Sequence, residues 1–430
     1  MGPSKTIGIV AGGGSLPLEV ARSVTSRGDS VHVILVDGAA DEALKAFPHT
    51  IVNWAEFGRA ARALEAAHVR DVVFLGKYTR PNLSTARPNV DLVFAIPKLL
   101  RILRAGGDDA VLRGLLALFE DRGFRIVGAG EVAPELLVGE GVLTRAKPDT
   151  RDAADILKGF AVVAALGRHD IGQGVVVSGG VIEAIEGAEG TDQMLVRVAE
   201  RRVAGVSQKR GVLVKRPKPG QDLRVDLPAI GPGTARNAQA AGLSGIAVQS
   251  GQVLAAGRAM MIGVADQAGL FVAGVHEARA NATARRSAKL ERRIIMHGPL
   301  TASAADKADA ARGAAILEDL SVFAAGTALV MRDRRVLAIG ASEPASAVIT
   351  RIAALTLRTR KRRGVAVIHA SETIDQALMQ AVLGAQLAGV AVVSLSGDEA
   401  GKSAVAHAGM AGALGLFYAT VVEQTGQRHD

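Results

Sequence analysis

The stretch Lys215–Gly233, KRPKPGQDLRVDLPAIGPG, holds more chemically able residues than any other in the chain. Lys215, Arg216, Lys218 and Arg224 suit an anion, while Asp222 and Asp226 suit a metal ion or a general base. Pro217, Pro219, Pro228 and Pro232 fix φ along the backbone between them, so the loop is stiff as well as charged. With Asp192 and Gln173 from neighbouring loops, it has the oxygens to hold Mg²⁺ while leaving waters in the ion's shell. Asp226 would then be a metal ligand, shared with Asp192, or the base for water.

A second candidate is Gly12-Gly13-Gly14-Ser15, set between a strand pattern and a helix pattern. Glycines there let backbone N–H groups approach a phosphate, with a helix N-terminus behind them. The spacing is not that of a dinucleotide-binding turn, and no Lys-Ser/Thr follows as in a P-loop. Lys77 and Arg80 lie just after the third strand, where ligands of open parallel sheets bind. Gly106-Gly107-Asp108-Asp109 reads first as a helix cap.

Other chemistries are excluded. With no cysteine, a disulfide framework, a thiolate zinc site, an iron–sulfur cluster and a cysteine nucleophile all fall away. The nine histidines make no H-x-x-x-H or H-E-x-x-H pattern, and no G-x-S-x-G elbow occurs. Aromatic residues are 3%, too few for the stacking platforms of single-strand nucleic-acid binders, so no nucleic-acid partner is expected. The net charge of +9 suits an anionic partner such as phosphate or a membrane surface. The basic run Arg358–Arg363 reads as a solvated loop before a strand.

The elements that must position these residues follow from hydrophobic pattern and punctuation. Ile7–Ala11, Ser30–Val36, Asp71–Leu75 and Phe124–Val127 read as strands, with helices at Leu16–Ser26 and Gly58–Ala67 and two more within Ile96–Arg122. Strands separated by helices predict an α/β fold: an N-terminal doubly wound, mostly parallel, Rossmann-like sheet over 1–140. Glu140–Thr150 reads as a connector. A second α/β domain is expected over 151–278, with a hairpin at Gly174–Glu186, helices at Ala153–Leu166, Asp192–Arg201 and Thr234–Ala241, and strands at Gly211–Val214 and Gly245–Gln249. Residues 279–312 read as a linker, with Glu277–Arg293 as a solvated helix. Residues 313–422 then repeat the second domain: Arg210-Gly211-Val212-Leu213-Val214 returns as Arg363-Gly364-Val365-Ala366-Val367, and Gly269-Leu270-Phe271 as Gly415-Leu416-Phe417. The repeat lacks the charged loop; His369–Asp375, HASETID, stands in its place, so it is expected to be non-catalytic. The apolar run at Ile7–Ala11 is too short for a signal peptide. Gln376–Gly397 and Ser403–Val422 carry almost no charge, but each reads as a helix running into a strand of a soluble core.

The first 280 or so residues resemble the UDP-2,3-diacylglucosamine pyrophosphatases of lipid A synthesis, the LpxI type. The resemblance rests on IVAGGGSLP (Ile9–Pro17), EFG (Glu56–Gly58), GGDDAVL (Gly106–Leu112), DIGQGVVV (Asp170–Val177), EGTDQML (Glu189–Leu195), GVLVKRPKPGQDLRVDLPAIG (Gly211–Gly231), AGLSG (Ala241–Gly245) and GLFV (Gly269–Val272). It implies a Mg²⁺-dependent hydrolase that cleaves UDP-2,3-diacylglucosamine to UMP and 2,3-diacylglucosamine 1-phosphate (lipid X). In that family the acylated sugar is buried between the two domains, and the essential aspartate lies in Asp-Leu-Pro, here Asp226-Leu227-Pro228. This agrees with the reading of the residues, on which Asp226, Asp192 and Gln173 are the expected catalytic residues and Gly12, Gly13, Gly14, Ser15, Lys77, Arg80, Lys215, Lys218, Arg224 and Thr191 are expected to meet the substrate. The resemblance also implies a cytoplasmic enzyme, peripheral at the inner membrane of a Gram-negative bacterium and able to form a homo-oligomer. The family as such ends near residue 280, so the repeat lies outside its pattern. Two other functions compete: a non-catalytic nucleotide or lipid sensor, and a nucleotide-sugar or dinucleotide oxidoreductase, the latter resting on the N-terminal fold alone.

Overall fold

Short β-branched runs closed by glycine become strands, and Ala-rich amphipathic stretches between them become helices. The computed structural model describes residues 5–53, 56–76, 114, 116–202, 209–219, 221–224, 227–276, 292–353, 362–394 and 399–423. In chain order these residues form β1 (Thr6–Ala11), α1 (Leu16–Ser26), β2 (Ser30–Val36), β3 (His49–Val52), α2 (Phe57–Ala66), β4 (Asp71–Leu75), β5 (Arg125–Ile126) and α3 (Ala129–Val132). There follow β6 (Gly141–Val142), α4 (Thr150–Gly167), β7 (Gly174–Ser178), β8 (Val181–Ile185), α5 (Gly190–Arg201), β9 (Val212–Lys215), β10 (Ala229–Ile230), α6 (Pro232–Ala240), β11 (Gly245–Gln249), β12 (Leu254–Ala255), α7 (Arg258–Gln267) and β13 (Phe271–Val275). The last third holds β14 (Arg292–His297), α8 (Ala304–Ser321), β15 (Ala328–Arg332), β16 (Arg335–Ile339), α9 (Ala345–Ala353), β17 (Val365–His369), α10 (Gln376–Gly384), β18 (Gly389–Ser394), α11 (Glu399–Ala413) and β19 (Phe417–Glu423).

The chain folds as two compact units. One holds 1–139 with 220–232 and 250–263; the other holds 140–219, 233–249 and 264–430. The first unit is a parallel sheet of order β3-β2-β1-β4-β5. The chain moves outward from β1 on one side and returns to β4 on the other, so the carboxyl ends of β1 and β4 flank a topological switch point. Val20, Ala21 and Val24 bury one face of α1 against this sheet with Ile9, Val33 and Val73. The parallel pair β10 and β12 adds to the same unit, with Leu227, Ala229 and Leu254 in its core.

The second unit contains two six-stranded mixed sheets, of order β6-β13-β11-β9-β7-β8 and β14-β19-β18-β17-β15-β16. The two orders correspond strand for strand. Even the irregularity in the hairpin recurs, at Val176/Val177 in one and Val330/Met331 in the other. The expected α/β fold with a duplicated second domain is what the chain adopts. Gly159 of α4 lies so close to Val214 that a Cβ would stand 2.4 Å from its side chain, and Gly313 of α8 stands in the same relation to Val367 at 2.6 Å. These glycines let each helix sink onto its sheet. In each copy an aspartate of the helix also ties down the hairpin turn. Asp155 accepts from the Gly179 and Gly180 amides at 2.8 and 2.7 Å, and Asp309 accepts from the Arg334 amide at 2.8 Å.

The pattern along the last third requires correction at its start. Residues 279–312, expected as a linker, include β14 and the first half of α8; Arg292 and Arg293, expected in a solvated helix, pair with Glu423 and Val422 in the sheet. Residues 277–291 lie outside the described residues. The connector 140–150 likewise contains an edge strand, β6, antiparallel to β13. Both uncharged C-terminal windows fold as a helix followed by a core strand (α10 then β18, α11 then β19). Among the described residues no helix is long and apolar enough to cross a membrane.

Asp309 supplies a pH prediction. Burial pushes its carboxyl up, with Asp306 and Asp333 adding to this, against hydrogen bonds from the backbone of Arg334 and Asp333. A carboxyl raised in the folded state binds its proton more tightly there than in the unfolded chain. Its contribution to stability is complete below the unfolded value and is lost as pH rises through the folded one. Asp309→Asn removes that loss, so its melting temperature relative to wild type is expected to climb as pH rises above about 4. A difference that does not vary with pH would contradict the assignment.

Candidate active site

In the first sheet of the second unit, β9 ends on Lys215 and β11 on Gln249. β7 runs the other way, and its first residue, Gly174, pairs with Lys215. Gln173, one residue earlier, therefore sits at the same edge, where its carbonyl accepts from the Arg216 amide at 3.0 Å. α5 starts here too and places Thr191 and Asp192 in its first turn. Lys215 Nζ donates to Thr191 Oγ1 at 2.8 Å, and Thr191 Oγ1 donates to Glu186 Oε2 at 3.0 Å. All three side chains are buried, Lys215 being 7% exposed. A buried ammonium and a buried carboxylate joined through one hydroxyl make a polar floor under the sheet edge. There a positive charge acts on an anion with far less screening than in water. Asp192 is exposed, with Oδ1 accepting from Asn237 Nδ2 at 3.2 Å. Lys218 bridges to Asp170 at 2.8 Å, and Asp170 holds a left-handed φ of 60°.

Two residues of this edge escape sequence reasoning. Glu186 follows β8 and closes the Lys–Thr–Glu chain. Gln249 is wholly buried, yet neither its amide nitrogen nor its amide oxygen has a hydrogen-bond partner among the described residues. The repeat shows how unusual this is. By strand register, Ile368 stands at the place of Lys215 and Val393 at that of Gln249. Gly340 follows β16 as Glu186 follows β8, and Ala345 opens α9 where Thr191 lies in α5. The fold alone is satisfied by apolar or small residues at all four positions; Val393 belongs to the hydrophobic core. A comparison of the two copies along their strands could have found both residues. A buried, unpartnered amide costs roughly 1–3 kcal/mol. Gln249→Met, close in volume and without polar atoms, is expected to raise the melting temperature; a fall would show that the amide is satisfied in solution.

The glycine turn belongs to the first unit, at the switch point of its sheet. Gly12 N–H donates to Leu75 O at 2.8 Å, and Gly14 has φ 104°. A Cβ on Gly76, itself at φ 94°, would lie 2.6 Å from Gly13 O, so the turn and the residue after β4 touch backbone to backbone. Ser15 makes no side-chain cap on α1, which leaves an exposed hydroxyl at a helix N-terminus beside the glycines. Arg224, expected to meet the substrate, is engaged otherwise. Its guanidinium pairs with Asp222 at 2.7 Å and Glu120 at 3.2 Å, and these carboxylates hold its pKa above the usual arginine range. Lys77, Arg80 and Asp226 lie outside the described residues; Leu227, next to Asp226, is packed in the core of the first unit. Among the described residues no group of three or more His, Asp or Glu side chains could hold a metal ion.

Two family models match the chain: the LpxI N-terminal domain over residues 6–136 and the LpxI C-terminal domain over residues 139–273. Over 274 residues the chain is 42% identical to UDP-2,3-diacylglucosamine pyrophosphatase LpxI of Caulobacter vibrioides, spanning 63% of this chain and 98% of that protein. The chain belongs to the LpxI family. The match corrects the resemblance in its extent. The LpxI name covers residues 6–273 and does not describe the chain as a whole, because the matched domains stop at the end of the first sheet of the second unit. Within the LpxI C-terminal domain, the structure brings Gln173, Thr191, Asp192, Lys215 and Lys218 to one edge. Gly12, Gly13, Gly14 and Ser15 stand at the switch point of the LpxI N-terminal domain.

Proposed function

We propose that this chain is a UDP-2,3-diacylglucosamine pyrophosphatase. Water adds across the P–O–P bridge of UDP-2,3-diacylglucosamine, and UMP and 2,3-diacylglucosamine 1-phosphate leave. One observation carries the reading: 42% identity across 98% of a relative bearing that name, with the polar edge of the second unit inside the matched part. The buried Lys215 ammonium offsets the diphosphate charge, and Lys218 adds to it on exchanging its Asp170 partner for the substrate. Thr191, held between Lys215 and Glu186, and Gln173 orient it. In the first unit, the Gly12–Ser15 turn at the head of α1 has the backbone amides to take a phosphate.

The residues suit a metal only in a minimal mode. Asp192 offers an exposed carboxylate; Asp226, the other expected ligand, lies outside the described residues. Mg²⁺ is commonly bound by one or two carboxylates together with substrate phosphates and waters, without a closed protein cage. Bound there, it would polarise the phosphoryl oxygens and lower the pKa of a bound water. Asp226 would serve as its ligand or take the proton of the attacking water. The +9 charge supports peripheral attachment to an anionic cytoplasmic membrane face, where an acylated substrate resides.

The test is UMP release from UDP-2,3-diacylglucosamine with and without Mg²⁺, on wild type and Asp226→Ala. Mg²⁺-dependent release that Asp226→Ala abolishes, with substrate still bound, is the expected result. No release from wild type would overturn the hydrolase and favour a nucleotide- or lipid-binding sensor.

A further inference from the structure

We infer that the repeat over residues 292–423 stands where a second copy of the LpxI C-terminal domain would stand, so that the chain carries its own pseudo-twofold partner. In a two-fold interface, residue i of one copy meets j of the other, and j meets i. Glu189 and Arg197, eight residues apart, have Glu343 and Arg351 as their counterparts in the repeat. Arg197 pairs with its own Glu189 at 2.6 Å and with Glu343 across the interface at 3.0 Å. Arg351 pairs with its own Glu343 at 2.8 Å. Arg351 lies near enough to Glu189 and Arg197 for both to act on its charge. The four side chains form one cluster of alternating sign, with Glu343 only 4% exposed.

The helices agree. α4 and α8 are counterparts, each 18 residues long and each capped by an N-terminal side chain, Asp149 and Ser303. They pack on one another. A helix that meets its own counterpart is what a two-fold axis produces. A single core runs through both copies and contains matched positions, Val175 with Leu329, Val214 with Val367, and Phe271 with Phe417.

One part of the interface breaks the symmetry. Asp319 of α8 takes His169 Nε2 at 2.8 Å and Arg168 at 3.3 Å, and Arg312 donates to His169 O at 2.8 Å. The counterparts of Arg168 and His169 are Val322 and Phe323, and that of Asp319 is Ala165. Two like copies could not form this group. The tethered copy therefore fits the face better than a second LpxI C-terminal domain would, and the full chain does not pair through it.

Light scattering on the full chain and on residues 1–282 tests this. The Caulobacter relative, matched over 98% of its length, shows that a protein of about the shorter extent stands alone. One protomer is expected for the full chain and two for 1–282, with Arg197→Glu returning 1–282 to one. The same number of protomers in both would overturn the inference, as would a 1–282 dimer indifferent to Arg197→Glu. If 1–282 aggregates, Glu343→Arg in the full chain decides. A shift from one protomer to two supports the inference, and one protomer with an unchanged melting temperature refutes it.

Discussion

Lys215→Met is expected to lower turnover of UDP-2,3-diacylglucosamine by about 100- to 1,000-fold, the scale seen when a preorganised group facing developing charge is removed. The same variant should melt lower than wild type. It strips the ammonium from a site 7% exposed and leaves Glu186 buried with only part of its network. Leaving a buried charge without its counterpart costs about 3–5 kcal/mol. The double variant Lys215→Met/Glu186→Gln separates the two effects. The neutral amide accepts from Thr191 without needing a counter-charge, so thermal stability is expected to return while turnover stays low. If the double variant recovers turnover, the Lys215 charge is structural rather than catalytic. The repeat lends weight to the split, since with Ile368, Ala345 and Gly340 at the corresponding positions it keeps the same sheet with no charge there.

Glu343→Ala should be the most damaging single change outside the site. Glu343 takes Arg197 at 3.0 Å, Arg201 at 3.4 Å and Arg351 at 2.8 Å, and its Oε2 also accepts from the Ala341 amide. Removing it leaves guanidinium groups crowded together with less to hold them. A cost of about 3–5 kcal/mol corresponds to a fall in melting temperature on the order of 10 °C. Activity should fall as well, by up to about 100-fold in kcat/KM, the scale of an ångström's misplacement passed on from a distance. Arg197 also donates to Ile185 O at 3.1 Å and to Glu189 at 2.6 Å, which flank Glu186 and Thr191. Unchanged melting and unchanged kcat/KM together would show that the cluster carries nothing. A loss of stability alone would show that it braces the interface without reaching the site.

Much of the fold was legible where the chain is well punctuated. Leu16–Ser26, Ser30–Val36, Asp71–Leu75 and Gly245–Gln249 have the expected bounds, because glycines, a proline or charged turns close each run. The failures share a cause. α8 is rich in Ala and Asp, and its buried face mixes Ala310, Gly313, Ala314 and an aspartate, Asp309, with Ile316, Leu317 and Leu320. Its burial is decided by the α4 surface it meets, which its own period does not encode. β3, β6 and the β10–β12 pair are short, and their pairing is set by partners distant in sequence.

The site divides along the same line. Lys215, Thr191, Asp192 and Gln173 could be read because they stand in glycine- or proline-marked loops at strand ends. Glu186 and Gln249 could not, since each is a lone polar residue closing an apolar run, a pattern that usually means an exposed terminus. Arg224 was counted as free charge, but Asp222, two residues before it in a loop, bends back to hold it. That pairing depends on backbone geometry rather than on residue type.

The two copies packed on α4 and α8 are parts of one polypeptide, and this fixes how the assembly responds to dilution. Two separate protomers meet in proportion to their concentration, so a scarce enzyme would spend part of its time apart. A copy on the same chain is presented at an effective concentration that does not change with dilution. The LpxI C-terminal domain is then supported at any expression level. Diluting the enzyme into an assay should cause no lag and no loss of specific activity, and the ratio of supporting to supported domain cannot drift from one to one.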